Sequence, residues 1–376
     1  MNNLSWIEIS KNNLKCNIKT IRDHIGKETI LAPCVKANAY GHGLIETSKT
    51  FLEAGANWLC VNSIEEAKRL RDANIDCPIL IIGYVDKSDL SKVIDLGVRI
   101  FLYDINHGEI LSNLARERNT TAPVHIKVDT GMHRQGVLLN KAEEFTKKVL
   151  RLGGIKIEGV ATHFANSDEP NNPSYFNGQL EKFKDISSRI KNIVGHDLIT
   201  HCDKSASALL YDHKLSNLVR PGIVAYGHYP GKDVAEICLN KNIVLRPALA
   251  FKTKIAQIKS IPPDSFVGYG CTYRTTRPTK IATIPVGYYD GYDRGLSNRG
   301  HVIANSGIAP ILGRICMNIT IIDITDCHNI AEGDEVVLIG QKENRMISAE
   351  KIGSWTNTIN YEVITRLRES IPRYYM

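Results

Sequence analysis

The chain has 376 residues, 43% hydrophobic and 23% charged, an ordinary globular composition that excludes disorder, collagen-like repeats and a coiled coil. At about 150 residues per domain, this length implies two domains or one large domain with an appendage, enough to bury a core without disulfide staples. The net charge of +7, from 47 Lys+Arg against 40 Asp+Glu, is mild; it suits anionic small ligands and does not by itself indicate nucleic acid.

The N-terminal segment MNNLSWIEISKNNLKC (1–16) has no apolar run of signal-peptide type. No stretch reaches the roughly 18 apolar residues of a membrane span. From about Ile30, short runs rich in β-branched residues alternate with helix-like segments. The runs are ILAPCVKA (30–37), NWLCVNS (57–63), PILIIGYV (78–85), VRIFLYD (98–104), PVHIKVDT (123–130), IKIEGVATHF (155–164), LITHC (198–202) and LVRPGIVAYG (218–227). Between them, SIEEAKRLRDAN (63–74) and NKAEEFTKKVLRL (140–152) repeat apolar residues at helical steps. Eight such runs predict an N-terminal (β/α)8 barrel. A doubly wound open sheet ranks second, because it usually needs fewer strands and no GxGxxG fingerprint is present.

Beyond about Val244 the pattern changes. PALAFKTKIAQIKSI (247–261), KIATIPVGYY (280–289), HVIANSGIAPILGRICMNITIIDI (301–324) and DEVVLIG (334–340) read as a mostly β domain. A short helix, SAEKIGSWT (348–356), and a last segment, TINYEVITRL (358–367), close it. The expected division is 1–243 for the barrel and 244–376 for the β domain, with the first residues pairing with the latter. The nine cysteines are scattered and form no CxxC pair. Neither a disulfide framework nor a metal site is expected, and a reducing, cytoplasmic compartment is the simplest reading.

In a parallel barrel, functional groups sit at the C-terminal strand ends. Those ends supply Lys36, Lys127, Arg134, His163, Ser205, Arg220 and Gly222. A lysine ending an apolar strand is partly desolvated, which favours its neutral amine, and a neutral amine forms a Schiff base with an aldehyde; taken alone, it could equally be a snorkelling surface lysine. Loops after strands seven and eight often bind phosphate, and Ser205, Gly222 and Ile223 offer a hydroxyl and backbone amides there, although Ser205 could simply cap a helix. Together these features suggest pyridoxal 5′-phosphate.

The segment KANAYGHG (36–43) resembles the cofactor-lysine signature of the alanine racemase family. IKVDTGMHRQG (126–136), ATHF (161–164), RPGIVAYG (220–227), VGYGCT (267–272), IPVGYYDGY (284–292), GRICM (313–317) and TINYE (358–362) also resemble family motifs, in the family's order, from Trp6 onward. The resemblance implies a pyridoxal-phosphate barrel followed by a β domain. It also implies an isomerase that interconverts L- and D-alanine and supplies D-alanine for peptidoglycan. It identifies Lys36 as cofactor carrier and one base, and Tyr269 as the second base. The two bases act on opposite faces of a planar carbanion, because a single base would tend to return the proton to the face it left.

His163 matches a histidine beside that tyrosine. Arg220 matches the arginine facing the pyridine nitrogen, where a guanidinium is essentially never a proton donor, so the ring stays a weaker electron sink. Tyr40, Ser205, Gly222, Ile223 and Tyr361 match the phosphate set. Arg134 matches a residue near the cofactor hydroxyl and substrate carboxylate, and Lys127 a lysine that is carbamylated in many members. Met317 matches a partner-subunit residue whose amide binds the substrate carboxylate, which implies a homodimer with shared sites. Asp168, Tyr288, Arg294 and Arg314 resemble a polar corridor that narrows access, although ordinary surface charge pairs are an equal reading. Two departures stand out: Lys204–Ser205 where Asn-Ser is common, and Asn318 after Met317 where Asp is common. Tyr361 and Met317 favour a methyl-sized pocket, with serine or other small amino acids as the alternative substrates. Arg220 argues against decarboxylases on the same barrel, and the β domain argues against a non-catalytic pyridoxal-phosphate carrier.

Overall fold

The computed structural model describes residues 3–211, 214–305 and 307–376. Two compact units emerge: Asn13–Ala39 with Leu44–Arg246, and Tyr40–Gly43 with Pro247–Met376 and the N-terminal segment ending at Asn12.

In the first unit all eight strand-like runs become strands: Ile30–Leu31, Leu59–Val61, Ile79–Ile81, Arg99–Leu102, Ala122–Asp129, Ile155–Ala161, Ile199–His201 and Leu218–Val219. The second to seventh pair in parallel, each beside its sequence neighbour. The ring then closes. Asn217 N and Arg220 N donate to Thr200 O and Asp203 O, each at 3.0 Å. Leu218–Val219 pairs parallel with Ile30–Leu31, and Val35 N reaches Cys60 O at 2.8 Å. The expected (β/α)8 barrel is therefore present.

Helices cover the outside with their apolar faces inward. In Ser174–Val194 the buried residues Phe176, Gln179, Phe183, Ile186 and Ile190 recur at three- and four-residue steps. Ser63 caps Ile64–Asp72, its Oγ accepting from Glu66 N at 3.3 Å. Strand Ala122–Asp129 is buried on both sides, so the polar side chains at its alternate positions His125, Lys127 and Asp129 share one face.

The second unit is the expected β domain. Ser5–Ile9 pairs antiparallel with Leu249–Lys254 (Ile7 opposite Phe251) and parallel with Arg373–Tyr375. The sheet continues through Glu335–Lys342, His301–Ala304 and Gly307–Pro310. Along Leu249–Lys254 burial alternates, with Leu249, Phe251 and Thr253 inside. A second sheet joins Gln257–Ile261, Thr279–Ile284 and Thr320–Asp323. The small hairpin Phe266–Val267/Tyr273–Arg274 carries Tyr269 at its tip. The closing segment contains the helix Asn360–Thr365.

Candidate active site

Lys36 follows the first barrel strand and is half-buried. The next residues do something their composition hides. Ala37, Asn38, Ala39 and Tyr40 all have positive φ, from +51° to +54°, which makes a left-handed turn of non-glycine residues. Such backbone costs about 1–2 kcal/mol per residue and persists only where surrounding contacts over-determine it. Here Ala39 N donates to Val35 O at 2.8 Å. Asn38 Oδ1 accepts from Leu44 N at 2.9 Å, and Glu66 Oε1 accepts from Ala37 N at 2.7 Å.

The remaining barrel candidates include two buried basic side chains. Lys127 and Arg220 are each only 4% exposed. Both lie by the ring of Phe101, with Lys127 Nζ 5.1 Å and Arg220 Cζ 5.9 Å from its centroid, contacts that favour cations electrostatically. Burial, with Arg220 and Arg134 nearby, holds the Lys127 amine well below the usual lysine range. Burial, reinforced by the neighbouring basic side chains Lys127 and Arg220, also holds the His163 imidazole well below its usual range. A small pocket is lined by Lys127, Asp129, Met132, Arg134, Thr162 and His163. Asp129 shapes its rim: Oδ1 accepts from Gly131 N at 2.9 Å and His133 N at 3.1 Å, folding back the loop that bears Arg134.

Arg220 is fixed by a relay that the sequence motifs did not announce. Its Nη2 donates to Thr162 O at 2.9 Å and its Nη1 to His201 O at 3.0 Å. Nη1 also bonds His201 Nδ1. His201 Nε2 meets His125 Nδ1 at 2.7 Å, and His125 Nε2 meets Glu158 Oε2 at 3.2 Å. Arg99 Nε closes the chain on Glu158 Oε2 at 2.9 Å. A guanidinium only donates, so His201 Nδ1 must accept; His201 then donates from Nε2, and His125 from its own Nε2 to Glu158. Both rings must be neutral for this order to hold. Burial pushes both imidazoles below their usual range, His201 further with Arg220 beside it. Burial pushes the Glu158 carboxyl up, but the hydrogen bonds from His125 and Arg99 outweigh it and bring it to about 2. Gly159 leaves the space this needs, since a Cβ there would run into the His125 ring. The signal available in the sequence was the alternation His125, Lys127, Asp129 on one strand face.

Ser205 is not the helix cap. Lys204 occupies that position, with its N donating to Ser207 Oγ at 2.9 Å. Ser205 Oγ instead accepts from Gly222 N at 2.8 Å, so its own proton can still be donated. Ser205, Gly222 and Ile223 are buried side by side at the last two strand ends. The unexpected Lys204 pairs with Asp168, Nζ to Oδ1 at 2.7 Å.

In the second unit Tyr40 and Tyr361 face each other, ring centroids 6.2 Å apart. Tyr269 is 72% exposed on a tight turn between Gly268 and Gly270, both at φ +73°, where residues with a Cβ are disfavoured. The Arg314 guanidinium packs against Gly270. Met317 is 54% exposed, and Tyr288 and Ile319 are also exposed. Arg294 opens the short turn Arg294–Leu296.

The donor set suits pyridoxal phosphate: a half-buried strand-end lysine, a buried hydroxyl with a proton to donate, the adjoining backbone amide of Ile223, and a buried arginine that calls for anionic compensation.

Comparison with known proteins gives a consistent picture. Residues 9–230 match the family model "Alanine racemase, N-terminal domain", and residues 248–375 match "Alanine racemase, C-terminal domain". An alanine racemase of Halothermothrix orenii is 40% identical over 378 residues, covering 99% of this chain and 96% of the relative. Among solved structures, an alanine racemase of Clostridium difficile 630 superposes with TM-score 0.93 at 32% identity, covering 100% of this chain and 96% of its own. An alanine racemase of Bartonella henselae with covalently bound pyridoxal phosphate superposes with TM-score 0.85 at 28% identity, covering 100% of both chains.

Proposed function

The chain belongs to the alanine racemase family and interconverts L- and D-alanine, and we propose that it does so with pyridoxal 5′-phosphate carried on Lys36. The observation that carries this reading is the buried set of Lys127, Arg220, Ser205, Gly222 and Ile223 on the barrel strand ends. The serine and non-catalytic readings gain no support from the relatives.

The chemistry the cofactor would supply when bound is electron withdrawal, which would acidify the α-proton of the amino acid. Ser205 Oγ, held by Gly222 N, would donate its proton to the cofactor's phosphate with Ile223 N beside it, and Tyr40 and Tyr361 are the further residues proposed to hold that phosphate. Arg220 would face the cofactor's ring nitrogen and, as a guanidinium, would not give it a proton. The neutral His201–His125 pair behind it holds the guanidinium in place and would thereby limit electron withdrawal by the bound ring. Lys36 Nζ removes or returns the proton on one face of the α-carbon. Tyr269 of a second copy holds the proton at the other face, with the neutral His163 beside it.

Arg134 binds the substrate carboxylate. Lys127, with its neutral amine, adds carbon dioxide: the nitrogen–carbon bond forms, one proton leaves, and the resulting carbamate offsets the charges of Arg134 and Arg220. The homodimer is supported by the exposed Tyr269, Met317, Tyr288 and Ile319 on one unit, apolar surface of the kind that marks interfaces. The Met317 amide completes the carboxylate site from the partner. All nine cysteines are free thiols, as suits a cytoplasmic enzyme supplying D-alanine for peptidoglycan.

Chiral chromatography after incubation with L-alanine and pyridoxal phosphate tests the activity. Borohydride reduction followed by peptide mapping tests the carrier, and the label should fall on Lys36. A label on another lysine would refute the assignment.

A further inference from the structure

Glu66 lies one turn into the helix Ile64–Asp72, three residues after its cap Ser63. The spacing Ser-x-x-Glu is that of a capping box, whose glutamate ordinarily returns to the cap's own backbone N–H. Here the carboxylate goes elsewhere. Oε1 accepts from Ala37 N at 2.7 Å, and Oε2 accepts from Asn62 N at 2.7 Å. Ala37 N belongs to the peptide plane that directly follows the Cα of Lys36, and it opens the left-handed turn. Both oxygens are engaged as acceptors. A carboxamide has only one acceptor oxygen, so no neutral residue of this size reproduces the pair of bonds.

We propose that Glu66 is a positioning residue: its carboxylate locks the peptide plane after Lys36 and thereby sets the direction in which Lys36 projects toward cofactor and substrate. This rests on the reading of Lys36 as the cofactor carrier. Glu66 touches no reacting atom and acts through the backbone of the strained turn. That turn is anchored from the barrel's second strand–helix junction, because Asn62 and Ser63 join Leu59–Val61 to the same helix.

The test uses Glu66→Gln in the full-length chain, with Glu65→Gln on the exposed side of the same helix as control. Four quantities are read: thermal midpoint of the apoprotein, rate of pyridoxal phosphate capture by the apoprotein, pH midpoint of the bound cofactor's absorption band, and kcat and KM for alanine. The apoprotein should melt near the wild type. Capture rate and kcat should each fall by about tenfold to a hundredfold, the effect of losing one hydrogen bond to a charged acceptor. The band midpoint should move, and KM should change little. Glu65→Gln should match the wild type throughout. Ala37→Gly lowers the cost of positive φ, so adding it to Glu66→Gln should return much of the lost capture rate, and this arm remains readable if the single variant melts early. Wild-type capture, band midpoint and kcat in Glu66→Gln would overturn the proposal, as would a double variant no better than the single. A wild-type chain that labels at a residue other than Lys36 would overturn the carrier reading itself, and the same peptide map reveals it.

Discussion

Replacing His201 by leucine tests the relay behind Arg220. The substitution keeps roughly the ring's volume and removes both of its polar atoms. Arg220 Nη1 would keep its 3.0 Å bond to the residue's carbonyl but lose the imidazole, and His125 Nδ1 would lose the partner it now meets at 2.7 Å. Each buried polar group left unsatisfied costs about 1–3 kcal/mol, so the loss should total about 2–5 kcal/mol after the added apolar burial is allowed for. Pairing with His125→Leu should show coupling of about 1–2 kcal/mol, because the two rings touch. A pH signature accompanies this. His125 and His201 are held neutral in the fold, below their ordinary 6.5, whereas the unfolded chain protonates both below about that pH. Stability is therefore fully present above about pH 6.5 and falls as pH drops, by up to about 1.4 kcal/mol per pH unit per histidine. His201→Leu should remove the His201 contribution from that slope. Amide hydrogen exchange of peptides spanning 122–129 and 199–201, corrected for intrinsic rates, reads the local opening energy. A loss under about 1 kcal/mol with an unchanged slope would refute the relay.

Two further outcomes follow from the site. Ser205→Ala should weaken pyridoxal phosphate binding by about tenfold to a hundredfold without altering the fold, as measured by cofactor titration of the apoprotein; unchanged affinity would remove Ser205 from the cradle. Lys127, with its depressed amine, should show a carbamate carbon resonance in 13C NMR under labelled carbon dioxide. Lys127→Ala should abolish that signal and raise KM for alanine, and a persistent signal would place the modification elsewhere.

The eight barrel strands were legible because runs such as PILIIGYV and VRIFLYD carry β-branched residues buried on both faces, with clear helical periodicity between them. The motif residues of the barrel also lie where strand-end logic put them. Other features were hidden for physical reasons. Ala37, Asn38 and Ala39 have compositions that fit an ordinary helix, and nothing local marks four left-handed residues in succession; one of the groups that holds the turn, Glu66, lies 29 positions along the chain. Glu66 itself reads as half of a capping box. His125, Glu158 and His201 lie on three different strands, so their adjacency appears only when the barrel closes. The pairing of Lys204 with Asp168 was likewise hidden, because the two lie 36 positions apart in sequence.

The two-base assignment is the core of the mechanism, and exchange of the α-proton measures it most directly. Wild type and Tyr269→Phe are each incubated in deuterium oxide with L-alanine or D-alanine, and deuterium incorporation in a single turnover is followed. The Tyr269→Phe protein should lose proton abstraction by about a hundredfold or more from one enantiomer, the scale of a general base, while exchange from the other, served by Lys36, stays near the wild type. Equal losses from both enantiomers, or none from either, would contradict bases on opposite faces.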